Sequence, residues 1–147
     1  MREFLIVCSL FSASPCFAQV EREADKCSPS GFGKPTYPLE AVRARILGTV
    51  KASFSIGTDG KPERVEYTGH RILIPGAKVS IDRTRVDPGC RGLAYTLVFK
   101  FQLESIYEFD NGNPPLVHGT QAVTFRPPDE FLIVYFFDPV DKSRAPR

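Results

Sequence analysis

The fold is decided by residues 49–68, which read TVKASFSIGTDGKPERVEYT. Apolar side chains take every second position in the first part of this stretch: Val50, Ala52, Phe54 and Ile56. A period of two over eight residues is typical of a strand with one buried face. The pair Asp59-Gly60 then favours a tight turn, and the alternation resumes with Val65 and Tyr67. The segment therefore predicts a β-hairpin.

Two helices are predicted beside this hairpin. Pro38 can open the first helix because its fixed φ suits a first turn, and Gly48 is expected to end it. Three apolar residues would share the inward face of this helix: Leu39, Val42 and Ile46. The second helix is predicted for residues 74–83, where Pro75 supplies the start signal.

Further strands are predicted after the second helix. Alternate positions of residues 93–103 are apolar or aromatic: Leu93, Tyr95, Leu97, Phe99, Phe101 and Leu103. The sequence DNGNPP at 110–115 breaks the chain, and strands are predicted again for 120–125 and 131–137. These elements predict an α+β domain in which a small, mostly antiparallel sheet packs on two helices. The core is expected to contain Val50, Phe54, Ile56, Val65, Leu97, Phe99 and Phe101.

Length and composition set the class of the protein. The 147 residues have room for one domain, and 42% apolar with 24% charged residues is an ordinary globular mixture. A net charge of +2 is too small to indicate a nucleic-acid-binding surface. No nucleic-acid partner is therefore expected.

Residues 1–18 are predicted to be a cleavable signal peptide. The apolar run FLIVCSLF at 4–11 is much shorter than the ~20 residues that span a bilayer, and small residues lie at −3 and −1 of a cut after Ala18. A hydrophobic N-terminal strand is one alternative. A lipoprotein signal is another, which Pro15 before Cys16 disfavours. The mature chain would begin at Gln19 and be periplasmic or secreted.

Export would leave two of the four cysteines in the mature chain, Cys27 and Cys90. An even number of cysteines in an oxidising compartment predicts a disulfide bond, and two free thiols are the alternative. Neither cysteine has a CxxC partner or a neighbouring His. This spacing disfavours redox catalysis and zinc binding.

No catalytic or metal site is predicted. The chain contains none of the common nucleophile, zinc, phosphate or dinucleotide motifs. His70 and His118 are expected at the surface or in turns, and Asp59 is expected to serve the hairpin turn. Glu63 and Glu66 are expected on opposite faces of a strand, an arrangement unsuited to a carboxylate pair.

Four short motifs occur in order near the start of the predicted domain. They read PTYP at 35–38, RILGTV at 45–50, FSI at 54–56 and DGK at 59–61. As a set they resemble the C-terminal domain of TonB-type energy transducers, and the similarity extends to about residue 103. The motif residues are Pro35, Tyr37, Pro38, Gly48, Val50, Asp59 and Gly60. The sequence TRVDP at 84–88 departs from the family's aromatic W-R-F-x-P pattern.

The resemblance implies a division of the chain and a function. Residues 19–34 would form a polar leader, 35–137 a TonB C-terminal-like domain with extra C-terminal strands, and 138–147 a tail. The implied function is non-enzymatic binding of an outer-membrane or envelope protein segment by strand addition, without a cofactor. The alternatives are an energy-transducing component whose N-terminal segment is retained as an anchor, and a secreted structural domain of the envelope.

Strand addition requires an open sheet edge. The polar face with Lys51, Ser53 and Ser55 is expected simply to be solvated, so the edges are the sites of interest. A small sheet that does not close into a barrel leaves two edges, which must be covered or used. The order of the chain does not tell which strand lies at an edge. Residues 120–137 could themselves cover one edge, which is the main competing hypothesis.

Overall fold

The computed structural model describes residues 26–105 and 119–137. Predictions for residues 1–18, the break at 110–115, His118 and the tail at 138–147 therefore lie outside the described residues. Two helices, α1 (Leu39–Arg43) and α2 (Ile74–Arg83), accompany five strands. The strands are β1 (Gly48–Ile56), β2 (Pro62–Gly69), β3 (Ala94–Ser105), β4 (Gln121–Arg126) and β5 (Glu130–Phe137). Short 3₁₀ turns occur at Pro29–Gly31 and Pro88–Cys90.

The five strands form one sheet in the order β2-β1-β3-β5-β4. Three of the four neighbouring pairs are antiparallel, and β3 pairs with β5 in parallel. The predicted α+β fold with a mostly antiparallel sheet and extra C-terminal strands is confirmed. Among the described residues, no helix is long and apolar enough to span a membrane.

The predicted hairpin is confirmed, and its turn explains one glycine. Gly60 adopts a φ of 75°, and its carbonyl accepts a hydrogen bond from the backbone N–H of Val86. A Cβ at position 60 would lie 2.1 Å from the carbonyl oxygen of Val86. Both the positive φ and this close approach favour glycine.

A β-bulge in β2 corrects one prediction. The pairing shifts between Ser53↔Glu66 and Ser55↔Glu63, and Arg64 in the bulge has a φ of 53°. The extra residue changes the alternation of the strand. Glu63 and Glu66 therefore share the face of the sheet that holds Ser53 and Ser55, and the expectation of opposite faces was wrong.

The first helix is shorter than predicted. It ends at Arg43, and Gly48 begins β1 instead of ending the helix. Arg45 adopts the left-handed conformation with a φ of 52°, and the N–H groups of Arg45 and Ile46 donate to the carbonyls of Val42 and Ala41. These two bonds form a Schellman motif. Leu39, expected to face inward, is 60% exposed.

The second helix has the bounds predicted for it. Gly76 lies inside it and is buried because the segment that enters α1 crosses there. A Cβ on Gly76 would lie 2.1 Å from the carbonyl oxygen of Thr36 and 2.9 Å from Cδ of Pro38. The helix also packs near β2. Tyr67 of that strand is partly buried, and burial is the main cause that raises its pKa to about 12.

The core lies between the helices and one face of the sheet. Six of the seven predicted core residues are at most 4% exposed, and Val65 is half-buried against them. Leu93 precedes β3 and is 46% exposed. The extra strands contribute Phe131 and Ile133, which are 3% and 0% exposed. Phe131 stacks on Phe99 with ring centroids 5.5 Å apart.

The described part of the polar leader is packed onto the domain. Cys27 and Cys90 lie at disulfide distance, with Cα atoms 5.8 Å apart. The hydroxyl of Tyr95 donates to the carbonyl of Cys27 over 2.9 Å. Phe32 is 4% exposed, and its ring contacts Tyr95 with centroids 5.1 Å apart. The described part of the leader is therefore held to the domain by a hydrogen bond and a buried aromatic ring as well as by the cysteine pair.

Candidate strand-addition edges

Among the strands that the structure describes, the outer two of the sheet are β2 and β4. The long strand β3 is not an edge, because β1 pairs with one side of it and β5 with the other. The hypothesis that residues 120–137 cover an edge thus agrees with the structure as far as β3 is concerned. An incoming strand would have to pair with β2 or β4.

The outer side of β2 is a poor template for another strand. The strand begins at Pro62, which has no backbone N–H to donate. The bulge at Arg64 interrupts the regular spacing of the outward N–H and C=O groups. Exposed charges on Glu63, Arg64 and Glu66 add to these obstacles. Charges, proline and bulges are the means by which natural proteins protect an edge.

The outer side of β4 carries a regular ladder. All six residues of β4 pair with β5 without a shift in register. The N–H of Phe136 donates to the carbonyl of Thr120 over 3.0 Å, so residues of even number direct their main-chain groups toward β5. Antiparallel alternation then turns the N–H and C=O groups of Gln121, Val123 and Phe125 outward. No other described strand pairs with this side of β4.

The side chains of β4 suit an edge that accepts another strand. Val123 and Phe125 are half-buried and lie on the face that packs on the core, and the ring centroid of Phe125 is 5.0 Å from that of Phe131. Ala122 and Thr124 lie exposed on the opposite face. The first five residues of β4, Gln121–Phe125, carry no charge. None of the protective features of β2 occurs in these five residues.

The start of β4 is fixed to the domain by a motif residue, Tyr37. The side-chain oxygen Oε1 of Gln121 accepts a hydrogen bond of 2.7 Å from the N–H of Tyr37. The Tyr37 ring contacts Phe101 and Tyr135 with centroids 5.2 and 5.9 Å apart, and its hydroxyl donates to the carbonyl of Ile46. Burial raises the pKa of Tyr37 to about 12. Tyr37 therefore joins the extra strands to the rest of the core.

The other motif residues lie apart from the edges. Pro35 is fully buried and Pro38 is the N-cap of α1, while Gly48 and Val50 belong to the inner strand β1. Asp59 lies in the hairpin turn, where its carboxylate accepts from the N–H of Lys61 and pairs with the Lys61 ammonium 2.6 Å away. The contact with the Lys61 side chain is the main cause that lowers the pKa of the Asp59 carboxyl, and the bond from the Lys61 backbone N–H adds to it. In these positions the motif residues maintain the fold.

Among the described residues, the remaining polar candidates form no concentrated site. His70 accepts a hydrogen bond from the N–H of Ile72 in the loop before α2. Lys51 is exposed, and Ser53 bonds to Thr96 on the neighbouring strand. Within residues 26–105 and 119–137, no group of three His, Cys, Asp or Glu side chains could hold a metal ion.

Sequence reasoning identified the strands near 120 and 131 but not the exposed edge. The available signal was the alternation QAVTF at 121–125, which contains no charge. This pattern indicates an edge strand only together with the sheet order, which places β4 outermost.

Comparison with protein families identifies the segment that contains the helices and β1–β3. Residues 33–104 match the model of the Gram-negative bacterial TonB protein C-terminal domain. The resemblance noted from the motifs is confirmed for this segment. Domains of that family are periplasmic and non-enzymatic and interact with envelope proteins. The match ends next to the last residue of β3, so β4 and β5 lie outside it. No curated protein matches the chain.

Proposed function

We propose that this TonB-like periplasmic domain binds an extended segment of an envelope protein by strand addition on the outer side of β4, without enzymatic activity. The observation that carries the proposal is the outward ladder formed by the main chain of Gln121, Val123 and Phe125, with which no other described strand pairs. An extended peptide can satisfy such outward N–H and C=O groups and gain affinity from them.

The extra strands determine where the partner would bind. In a domain that ended at residue 104, β3 would be the edge of the sheet. Here β5 pairs with the side of β3 that would otherwise be open, and two side chains of β5, Phe131 and Ile133, are buried in the core. Displacing β5 would expose these two side chains to water at a cost of several kcal/mol. The partner strand is therefore expected beyond β5, on β4.

The decisive experiment compares two substitutions at Val123. Val123→Pro removes an outward N–H, and proline is tolerated on an edge strand where the N–H faces solvent. Val123→Thr keeps the N–H and the β-branched shape. Each variant would be crosslinked in envelope extract and recovered, and thermal melts would verify that both are folded.

The proposal predicts that Val123→Thr captures the same envelope proteins as the natural chain and that folded Val123→Pro loses them. Equal capture by both variants would refute pairing at β4. Absence of specific capture by the natural chain would favour the secreted structural alternative. Loss with both variants would indicate a side-chain contact instead of main-chain pairing.

A separate measurement tests export and anchoring. Mass spectrometry of the protein recovered from the periplasm should show a mature chain that begins at Gln19, as the predicted signal peptide requires. A mass that includes residues 1–18 would instead support the energy-transducing alternative with a retained anchor.

A further inference from the structure

We propose that the bridge expected between Cys27 and Cys90 is a redox-sensitive tether, and that its reduction releases residues 27–32 from the surface of a domain that stays folded. The inference concerns the leader and does not depend on strand addition at β4. Three features carry it: the position of the bridge, the few other contacts of residues 27–32, and the access of a thiol to the sulfur atoms.

The bridge joins two different parts of the chain. Cys90 is buried just before β3, inside the segment that matches the family model, whereas Cys27 precedes the first matched residue. The described strands pair with one another and not with residues 27–32. The bridge therefore attaches an additional segment to the domain and does not join two strands of the sheet.

Residues 27–32 make few other contacts with the described part of the domain. Their 3₁₀ turn forms hydrogen bonds within the segment itself. The Tyr95 hydroxyl donates to the Cys27 carbonyl, and the Phe32 ring packs on Tyr95 and Phe54 with centroids 5.1 and 5.9 Å apart. Each ordered residue loses conformational entropy, so these contacts alone would hold the segment weakly.

Gly33 is the point at which firm attachment to the domain begins. Its N–H donates to the Thr84 hydroxyl over 3.2 Å, and its carbonyl accepts a hydrogen bond from the Ser80 hydroxyl. A Cβ at position 33 would lie 2.5 Å from the carbonyl oxygen of Ser80. Pro35 is then fully buried. Release of the preceding residues can therefore end at Gly33 and leave the core in place.

A thiol can reach the bridge in the folded chain. Cys27 is partly exposed, whereas Cys90 is 0% exposed. A cavity of about 220 Å³ lies beside the bridge and is lined by both cysteines and by Lys26, Asp87 and Gly89. The Lys26 ammonium favours a thiolate nearby, and the Asp87 carboxylate accepts a hydrogen bond from the Gly89 N–H. Attack is therefore expected at Sγ of Cys27.

The reductant belongs to the class of dithiols, such as the paired cysteines of a thiol–disulfide oxidoreductase. One thiolate of the dithiol attacks Sγ of Cys27, the bond between the two cysteines breaks, and Cys90 leaves as a thiolate that takes a proton from water. The second thiolate of the dithiol then attacks the mixed disulfide and displaces the Cys27 thiolate, which is also protonated. The cysteine pair gains two electrons and two protons, and the dithiol becomes a disulfide.

Release would change the surface of the domain at one place. Phe32 would leave its buried position, and the faces of Phe54 and Tyr95 that it covers would become accessible to water. Exposed apolar surface of this kind marks sites of contact with other molecules. Such contacts would then depend on the redox state, while the pairing of β4 with β5 would be unchanged.

Cleavage by chymotrypsin after Phe32 detects the release, because this side chain is 4% exposed in the folded chain. The oxidised natural chain would be compared with the double variant Cys27→Ala/Cys90→Ala, which needs no reductant. Phe99 is 0% exposed in the inner strand β3 and serves as the internal control. Mass spectrometry would identify each cut.

We expect the variant to be cut after Phe32 about tenfold faster, or more, than the oxidised natural chain, because cleavage follows the population of the released form. Cleavage of the variant after Phe99 should be slower than cleavage after Phe32 by about tenfold or more, since it requires opening of the whole domain.

A second measurement follows the reduction itself. The oxidised natural chain would be incubated with dithiothreitol at several concentrations, and free thiols would be alkylated and counted by mass spectrometry. Direct attack on the folded chain predicts a reduction rate that rises in proportion to the concentration of dithiothreitol.

Four results would overturn the inference. Cuts after Phe32 and Phe99 at equal rates would mean that loss of the bridge opens the whole domain. Unchanged cleavage after Phe32 would mean that the leader stays in place without the bridge. A reduction rate independent of dithiothreitol would mean that the bridge opens only after unfolding, and free thiols in the untreated exported chain would mean that no bridge forms. The capture experiment at Val123 tests β4 separately from all of these.

Discussion

Substitution of Phe131 by Ala tests whether the C-terminal strands belong to the core. Phe131 lies in β5, outside the segment that matches the family model. Its ring is 3% exposed and lies between Phe99 and Phe125, with centroid distances of 5.5 and 5.0 Å. If β5 were only loosely attached to β3, removing this ring would hardly change the free energy of unfolding.

The expected loss follows from burial and ring contacts. Replacing a buried Phe by Ala costs about 3–5 kcal/mol, since transfer free energy is lost and a cavity remains. Burial of Phe131 is nearly complete, and each aromatic pair contributes about 0.5–1.5 kcal/mol beyond its area. We therefore expect the free energy of unfolding to fall by about 4 kcal/mol.

Denaturant unfolding of the mature chain measures this loss, and Phe136 supplies the matched control. Phe136 lies on the same strand but on the opposite face, where it is half-buried. Phe136→Ala should cost about 1 kcal/mol, as expected for partial burial. Equal losses for the two variants, or a loss below about 1.5 kcal/mol for Phe131→Ala, would refute the placement of β5 in the core.

Three further predictions concern the turn, a tyrosine and the cysteines. Gly60→Ala should destabilise the protein by more than Gly92→Ala in thermal melts. Both positions have a positive φ, which alone should make Gly92→Ala cost about 1–2 kcal/mol of stability. At Gly60 a Cβ would in addition meet a carbonyl oxygen. Burial raises the pKa of Tyr37 from 10.0 to about 12, so the unfolded chain loses the hydroxyl proton at a lower pH than the folded chain does. The free energy of unfolding should therefore fall as the pH rises from 10 to about 12, and it should fall less steeply in Tyr37→Phe. Replacing Cys27 and Cys90 by Ala together should cost roughly 4 kcal/mol by the loop-entropy model, and reductant should destabilise the natural chain but leave this variant unchanged.

The strands could be predicted from the sequence because their signals are local. Alternation of apolar residues in β1 and β3 reflects one buried face of each strand, and this pattern does not depend on distant partners. The helix end could not be predicted in the same way. Gly48 is the usual kind of residue for a helix stop, but Arg45 takes the left-handed position instead, and Arg has no sequence signal for that role.

The candidate site depended on information that the local pattern lacks. Residues 121–126 predict a strand wherever the strand lies in the sheet, and only the parallel pairing of β5 with β3 places β4 outermost. The bulge at Arg64 could not be predicted from the sequence either, although it makes the outer side of β2 irregular and leaves β4 as the regular edge. Sheet order and bulges arise from long-range packing, so the edge became identifiable only in the folded chain.

The parallel pairing of β3 with β5 also sets the order in which the domain can be completed. A chain is synthesised from its N-terminus, so the hairpin, both helices and β3 are present before β5. Until residues 121–137 arrive, β3 has an unpaired side, and the places of Phe131 and Ile133 in the core are empty. A stalled or prematurely terminated chain would therefore present a long unpaired strand beside exposed apolar surface, the combination that makes folding intermediates aggregate. Strand β5 thus protects the domain while the chain is being completed.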